Sequence, residues 1–290
     1  MARMVTELTH RGVLEIQGED KAAFLQGLIS NDIHEVKPDQ AIYATFLTSQ
    51  GRFLYDFFII EKDGSYLLDV EATQLEAFLK KLSLYKLRSS VSFKIRPDLK
   101  VFAMWGKDVA AALELKEERG NACEGLFMDP RLLELGAREI GEVMNKHFQP
   151  STLQNYDLHR LILGVPEGGK DLIPEKSILL ESGLDELNAV SWTKGCYMGQ
   201  ELTARTKYRG LVRKRLFPVM IEGEPPAEST EIFLNDTLVG EMRTHMGSHG
   251  LAFLRLEAFE AYEKGEGELK YGHASLKPYK PFWMRFEEPS

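Results

Sequence analysis

Cysteine is scarce in this chain, which has two among 290 residues, at positions 123 and 196. Because neither belongs to a closely spaced pair, the sequence excludes a disulfide framework and a cysteine-rich metal site. Long apolar runs are also missing: the most apolar stretch, 53–60 (FLYDFFII), has eight residues and contains Asp56, whereas a helix needs about 20 to span a bilayer. The first residues, MARMVTELTHRG, lack the apolar core of a signal peptide. These absences predict a soluble, intracellular protein without membrane contact.

Acidic residues outnumber basic ones, 44 to 36, so the net charge is −8 and the pI is near 5.5. That balance argues against general binding of polyanions. One segment departs from it, because eleven residues contain six cations and no acid. A solvated basic face is one interpretation of this segment, and a tRNA-binding module is the other. The six cations are Arg205, Lys207, Arg209, Arg213, Lys214 and Arg215.

The order of apolar patterns predicts an α+β protein. Between residues 13 and 104, short strands joined by tight turns alternate with helices, which indicates antiparallel sheets covered by helices on one side. A segment of poor periodicity follows at 166–191, and long irregular segments in compact proteins are usually functional or disordered. Short strand candidates after residue 215 predict a small barrel or sandwich. Helices are predicted at 19–29, 73–87, 107–119 and 151–163, the last with Ser151 as its N-cap.

The length of the chain predicts two or three domains. The changes of pattern place an N-terminal α+β domain at 1–95 and a second α+β domain, which carries the loop around Cys196, at 96–212. A terminal β-barrel follows at 213–290. The first two domains are free to interleave in this scheme.

Cys196 stands in an unusual local sequence, between Gly195 and Gly199 and just before the basic segment. Glycines let a ligand approach the backbone closely. Lys194 is placed to lower the pKa of the thiol, as is the positive end of a helix predicted at 201–206, and both favour the reactive thiolate. The alternative is a buried structural thiol, because free cysteine is among the most buried residue types and no general base stands nearby in the sequence.

Other residues carry weaker patterns. Cys123 lacks such a setting and is interpreted as structural. His245 and His249 are four residues apart in a segment of strand and turn, where helical metal spacing does not apply, so no metal site is predicted. Asp56 interrupts an apolar strand. Because an unpaired buried carboxylate is costly, Asp56 is expected at a strand end or facing a cavity.

Residues 194–201 (KGCYMGQE), followed by Arg205, resemble the K-G-C-[FY]-x-G-Q-E motif of the YgfZ family. These folate-binding proteins are related to the aminomethyltransferase, or T-protein, of the glycine cleavage system. Three further stretches are similar to the family's motifs: 24–32 (FLQGLISND), 51–56 (GRFLYD) and 159–166 (HRLILGVP). The strand-rich tail is similar to the family's terminal barrel. The sequence looks closest to the mitochondrial branch and its bacterial relatives.

The resemblance implies a T-protein-like ring of antiparallel-sheet α+β domains with a small C-terminal β-barrel, around a cavity that takes tetrahydrofolate or a derivative. It implies a folate-binding accessory protein for the assembly or maintenance of 4Fe–4S clusters. The implied partners are iron–sulfur assembly proteins and client enzymes such as the radical-SAM tRNA methylthiolase. The expected location is the cytoplasm of a bacterium or the mitochondrial matrix of a eukaryote.

The matched motifs and the local chemistry together nominate the residues of a site. Cys196, Lys194 and Asp56 are the candidates for chemistry. No permanent metal is expected, because a 4Fe–4S cluster needs about four ligands and one cysteine cannot hold it. The candidates for contact with the cofactor are Asn31, Asp32, Arg52, Arg160, Tyr197, Gln200, Glu201 and Arg205.

Two departures from the T-protein pattern bear on activity. T-proteins carry R-x-E-A-G where this chain has RLILG at 160–164. Ile162 therefore replaces the glutamate that holds the pterin, and isoleucine cannot accept its N–H donors. The paired acids of T-proteins correspond to Tyr55 and Asp56, which leaves one acid. Both changes argue against aminomethyl transfer in the T-protein manner.

Three functions stay open at this point. The first is the accessory factor, in which Cys196 is a nucleophile, a redox partner or a transient ligand of iron or sulfur. The second is a tetrahydrofolate-dependent one-carbon transferase that uses Asp56. The third is the tRNA-binding module, whose binding would depend strongly on salt.

Overall fold

The computed structural model describes residues 2–142, 147–210, 212–226 and 230–285. The first strand, β1 (Met4–Glu7), belongs to a sheet formed later in the chain, and the next strands form a sheet of their own. The elements of this first sheet and its helices are β2 (Arg11–Gln17), α1 (Lys21–Gln26), β3 (Ile42–Leu47), β4 (Phe53–Lys62), β5 (Ser65–Glu71), α2 (Leu75–Lys86) and β6 (Ser92–Ile95). The strands are antiparallel and run in the order β3-β4-β5-β2-β6.

The second sheet takes β1 as well as strands from later in the chain. β1 lies antiparallel to β7 (Lys100–Trp105) and parallel to β11 (Gln149–Pro150), so the first two sheets interleave along the sequence. The domain boundaries at 95 and 212 stay predictions. The remaining elements are α3 (Val109–Ala112), β8 (Ala122–Cys123), β9 (Leu126–Met128), β10 (Ala137–Gly141) and α4 (Leu153–Ile162).

The end of the chain forms a closed barrel, with strand order β12-β15-β14-β13-β16-β17. This confirms the predicted α+β protein with a C-terminal β-barrel. Within the described residues, none of the helices is long and apolar enough to cross a membrane. The elements are α5 (Gln200–Tyr208), β12 (Lys214–Glu222), β13 (Glu231–Leu234), β14 (Thr237–Met246), β15 (His249–Arg255), α6 (Leu256–Glu263), β16 (Leu269–Tyr271) and β17 (Ala274–Pro278).

Local periodicity explains the helix that covers the first sheet. α2 buries Leu75, Phe78 and Leu82, which are spaced at i, i+3 and i+7 and therefore share one face. The ring of Phe78 packs 5.1 Å from that of Phe57 on β4. The predicted helix at 73–87 is thus confirmed, and its apolar face closes one side of the sheet.

The structure differs from several of the secondary-structure predictions. The helix predicted at 107–119 is reduced to α3, because Asp108 (φ 53°) and Glu114 (φ 57°) adopt left-handed conformations that end it on both sides. The helix predicted at 19–29 ends at Gln26. Thr152, not Ser151, caps α4, since its side chain accepts a hydrogen bond from the Asn155 amide. α6 and β17 were missed.

A buried ionic network joins the first two sheets. Asp69 on β5 accepts hydrogen bonds from Arg11 Nε at 2.5 Å and from Arg138 Nη1 at 2.6 Å. Arg138 belongs to β10 of the second sheet and also reaches Asp129. Burial would raise the pKa of Asp129, but Arg131 and Arg138 hold it below its usual range. Because all these side chains are buried, each charge depends on its partners for solvation.

We expect Asp69→Ala to lower the free energy of unfolding by about 3–5 kcal/mol, because it removes the carboxylate to which two buried guanidinium groups donate their shortest hydrogen bonds. Denaturation in urea measures the loss. Asp98→Ala is the matched control: Asp98 also pairs with an arginine, Arg96, but its side chain is half exposed, and its loss should leave stability nearly unchanged. Equal stability of the two variants would contradict the importance of the network.

Candidate functional site

Three of the motifs found in the sequence meet at the cysteine loop, which we define as residues 194–199. The loop lies on the turn that follows α1, 27–31, and on the turn between β3 and β4, 48–52. The backbone amide of Met198 donates to the carbonyl oxygen of Gly27 at 3.0 Å. The structure therefore brings the cysteine loop into contact with two motifs that lie more than 130 residues before it in the sequence.

Lys194 fixes one end of the loop. Its side chain is buried, with the residue 8% exposed. The ammonium nitrogen donates to the carbonyl oxygens of Gln26, Ile29 and Asn31 at 2.8, 2.7 and 2.7 Å. Burial lowers the pKa of Lys194 to about 8, and the charge of Asp32 opposes the shift.

Glycines fix the other end of the loop by close backbone contact. Gly199 has φ +81°, and a Cβ atom there would lie 2.5 Å from the carbonyl oxygen of Thr48. Gly51, on the opposite turn, has φ +78°, and its Cβ would lie 2.6 Å from the carbonyl oxygen of Gly199. Such distances exclude any side chain without a shift of the backbone. Each of the two motifs therefore needs a glycine at this contact, because the backbone of the other motif occupies the space that a side chain would take.

Cys196 is exposed between these two fixed ends. Gly195 beside it faces open space, because a Cβ atom at that position would meet no other atom within 4 Å. The predicted helix after the loop is confirmed, since α5 begins at Gln200, four residues beyond the thiol. Among the described residues, no group of three or more metal-ligating side chains is found. The site therefore presents a thiol on a shaped loop whose outer side faces solvent.

Several nominated residues support the loop from below. The Asn31 amide donates to the carbonyl oxygens of Tyr43 and Asn188, each at 2.8 Å. Asp32 accepts from the Gln26 side chain at 2.9 Å. Tyr197 is buried, and burial raises its pKa to about 12. These contacts hold the turn and the loop in place, and contact of these residues with a cofactor stays a prediction.

The other nominated residues lie around the loop. Arg52 donates from Nη1 to the carbonyl oxygen of Lys176 at 2.9 Å and borders an open cleft. Gln200 is half-buried, whereas Glu201 and Arg205 are exposed on α5. Cys123, interpreted as structural, is exposed at the end of β8 and lies on the second sheet, away from these motifs in the chain order.

Asp56 belongs to the buried interior and not to the cysteine loop. It lies within β4, 3% exposed, and accepts a hydrogen bond from the Tyr43 hydroxyl at 2.9 Å. A guanidinium nitrogen of Arg11 lies 3.9 Å away. The backbone of Gly168 covers the carboxylate so closely that a Cβ there would lie 1.9 Å from Oδ1. The expectation that Asp56 stands at a strand end or faces a cavity is therefore wrong.

Arg160 lies in a second buried ionic cluster. Its guanidinium donates to Asp157 at 2.8 Å and to Asp171 at 2.7 Å. Glu167 lies in the same cluster and contacts His10 at 2.8 Å. Burial would raise the pKa of Glu167, but His10 and Arg160 hold it well below its usual range. Sequence reasoning nominated Arg160 as a cofactor contact and missed the acidic side chains that surround it.

Two cavities border the irregular segment. The smaller, about 120 Å³, lies between residues 171–182 and the barrel, and Arg243 contributes to its wall. The larger is an open cleft of about 480 Å³ at the turn 48–52, lined also by Lys81, Tyr85 and Glu175. Pockets that bind small molecules measure about 300–1,000 Å³, so of these two cavities the cleft has the suitable size.

The basic segment is divided between interior and surface. Arg215 is buried and donates to Glu186 and to the carbonyl oxygen of Arg285. The Lys207 ammonium lies 4.1 Å from the centre of the Trp192 ring. Binding of tRNA by this segment stays a prediction. The cations that remain exposed are Arg205, Arg209, Arg213 and Lys214.

Comparison with known proteins shows the family of the chain. Residues 213–286 match the family of the CAF17 C-terminal beta-barrel domain. A mouse protein, the mitochondrial iron-sulfur cluster assembly factor IBA57, is 37% identical over 295 residues, which cover 93% of this chain and 81% of that protein. The chain belongs to the IBA57 family. The human IBA57 protein is 36% identical over 85% of this chain and 76% of its own length.

A fungal member of the IBA57 family is longer than this chain. The mitochondrial homologue of Mycosarcoma maydis is 35% identical over 78% of this chain, which spans 59% of that protein.

The fold extends beyond the family. A crystal structure of aminomethyltransferase T of the glycine cleavage system from Bartonella henselae superposes with a TM-score of 0.75 over 95% of this chain and 84% of that one. At 14% identity, this confirms the T-protein-like fold and nothing further.

We expect Gly199→Ala to lower the free energy of unfolding by at least about 2 kcal/mol, because it combines a left-handed backbone with a clash against Thr48. Gly195→Ala is the control in the same loop, since open space surrounds it, and it should change stability by less than about 0.5 kcal/mol. Urea denaturation compares the two. A Gly199→Ala variant as stable as the Gly195→Ala variant would contradict the close packing of the loop.

Proposed function

We propose that this chain takes part in iron–sulfur cluster assembly and that Cys196 is the ligand it supplies to iron. The observation that carries the proposal is an exposed thiol on a loop whose two ends are fixed by buried contacts. A soft thiolate is a preferred ligand of iron–sulfur clusters. The names of the mouse and human relatives agree with this role.

The cluster would be shared with a partner protein. A 4Fe–4S or 2Fe–2S cluster takes about four protein ligands. The cysteine loop contains one cysteine, and the described residues hold no group of ligands that could complete the set. A partner with further thiolates must therefore supply the rest. We propose that this partner is an iron–sulfur assembly protein and that client 4Fe–4S enzymes receive the cluster.

The residues of the loop have separable tasks in this scheme. Cys196 loses its proton when it binds iron, because the thiolate is the form of cysteine that ligates a metal. The backbone of Gly195 leaves room for the partner's surface. Lys194 and Gly199 hold the two ends, so that the thiol does not need to be ordered when the partner binds.

One-carbon transfer receives less support from the geometry. The only acid that we nominated for it, Asp56, is covered by Gly168 and occupied by Tyr43. Ile162, which stands where T-proteins carry glutamate, is 44% exposed and has no polar atom in its side chain. The carboxylate of Asp56 is therefore not available to a pterin, and position 162 supplies no carboxylate.

We expect Cys196→Ala to leave the unfolding midpoint unchanged, because the thiol is exposed, and to reduce the activity of 4Fe–4S enzymes in cells that depend on this chain. Cys123→Ala is the matched control, since that thiol is also exposed but lies on β8, and it should complement fully. Full complementation by Cys196→Ala would overturn the proposed function.

A folate is the second candidate ligand, and we propose that the cleft at the turn 48–52 holds its anionic tail. The cleft is open, it has the size of a ligand pocket, and it brings the cations Arg52 and Lys81 together. Both are suited to bind carboxylates. The anchors expected for the pterin do not fit, because Asp56 is covered and Arg160 is enclosed by acids.

Anaerobic calorimetric titration with tetrahydrofolate tests this placement. We expect saturable binding that weakens about tenfold in Lys81→Ala, because one charge-assisted hydrogen bond is lost, and that is unchanged in Asp56→Asn. Absence of binding by the unaltered chain would overturn the proposal. Loss of binding in a folded Asp56→Asn variant would place the folate in the interior and overturn the assignment to the cleft.

A further inference from the structure

The geometry of Lys194 points to a role that differs from activation of the thiol: we infer that it is the positioning residue of the cysteine loop. The inference rests on the proposed function, in which Cys196 must be presented to a partner. It concerns how the loop is held and not how acidic the thiol is. What decides between the two roles is where the three protons of the ammonium group go.

The hydrogen-bonding capacity of Lys194 is fully used. An ammonium group has three N–H donors and no acceptor. Its three carbonyl partners, in Gln26, Ile29 and Asn31, all lie within 2.8 Å of Nζ. No N–H group is left to donate to the Cys196 sulfur. The direct hydrogen bond by which a lysine would stabilise a neighbouring thiolate is therefore missing.

The partners of Lys194 belong to a rigid part of the molecule. The Gln26 carbonyl is at the carboxyl end of α1, where carbonyl groups lack helical partners. The turn that follows is tied down by Ser30, whose hydroxyl donates to the Ala189 carbonyl at 2.6 Å and accepts from the Thr45 amide at 2.9 Å. Lys194 therefore connects the exposed loop to the first sheet.

Lys194 and Tyr197 hold the chain on both sides of Cys196. Tyr197 is 7% exposed, and its ring centre lies 5.2 Å from the Lys194 Nζ atom. The ammonium thus lies near carbonyl oxygens and near the face of an aromatic ring, and both arrangements favour a cation. Because Lys194 and Tyr197 are both buried, the exposed Cys196 lies on a short segment that is anchored on each side.

The shape of the site favours lysine over arginine. Carbonyl oxygens from the last residue of α1 and from two positions of the following turn surround a single nitrogen atom. A guanidinium spreads its donors over a planar fork, and none of its nitrogen atoms carries more than two N–H groups, so no single atom of arginine can donate to all three carbonyls. Lys194→Arg should therefore fail to replace lysine, even though it keeps the positive charge.

The test compares Lys194→Met and Lys194→Arg in a Cys123→Ala background, where Cys196 is the reactive thiol. Alkylation by iodoacetamide across pH reports ionisation of the thiol, and hydrogen exchange of the Met198 amide, which bonds to Gly27, reports the hold on the loop. We expect exchange at least tenfold faster in both variants, with the midpoint of the alkylation profile unchanged. Lys207→Met, which removes a half-buried lysine on α5, should alter neither quantity.

Two results would overturn the inference. If the alkylation midpoint rose by about one pH unit in Lys194→Met but stayed at its unaltered value in Lys194→Arg, Lys194 would be assigned to activation of the thiol. Unchanged exchange at Met198 in both variants would show that the loop does not need Lys194. Neither readout uses cluster assembly, so a failure of the proposed function, seen as full complementation by Cys196→Ala, is separate from a failure here.

Discussion

The hydrogen bonds of Asp69 are the constraint on which the arrangement of the first two sheets depends. One carboxylate accepts Arg11 of its own sheet and Arg138 of the other, and neither guanidinium has access to solvent. A buried charge that loses its partner is far more costly than a lost surface contact. These hydrogen bonds therefore fix the position of the second sheet relative to the first sheet, whose turns contact the cysteine loop.

The buried ionic side chains and the exposed cysteine loop are separate features of the molecule. In the interior, Gly168 closes over Asp56, and Arg160 is surrounded by acidic side chains. At the surface, the cysteine loop leaves Cys196 exposed. The chain has the T-protein-like fold. We propose that its function lies on the cysteine loop, where Cys196 would meet a partner protein.

The sequence predicted what depends on local patterns and missed what depends on distant pairs. The strands of the first sheet, α2 and the barrel follow from periodicity and turn residues, while left-handed residues such as Asp108 broke the pattern of a helix. Family motifs pointed to Cys196 and Lys194. They could not tell that Lys194 bonds to carbonyl groups near residue 29, or that Arg138 meets Asp69, because such contacts appear only once the sheets are packed.

We propose above all that Cys196 binds iron in a cluster shared with a partner protein. The most direct measurement is NMR of the chain labelled with ¹³C at the cysteine Cβ atoms. An iron–sulfur assembly protein loaded with its cluster is added under anaerobic conditions. We predict a strong paramagnetic shift of the Cys196 signal, with the Cys123 signal unchanged as an internal reference. A Cys196 signal that stays at its diamagnetic position while the two proteins bind each other would contradict the account.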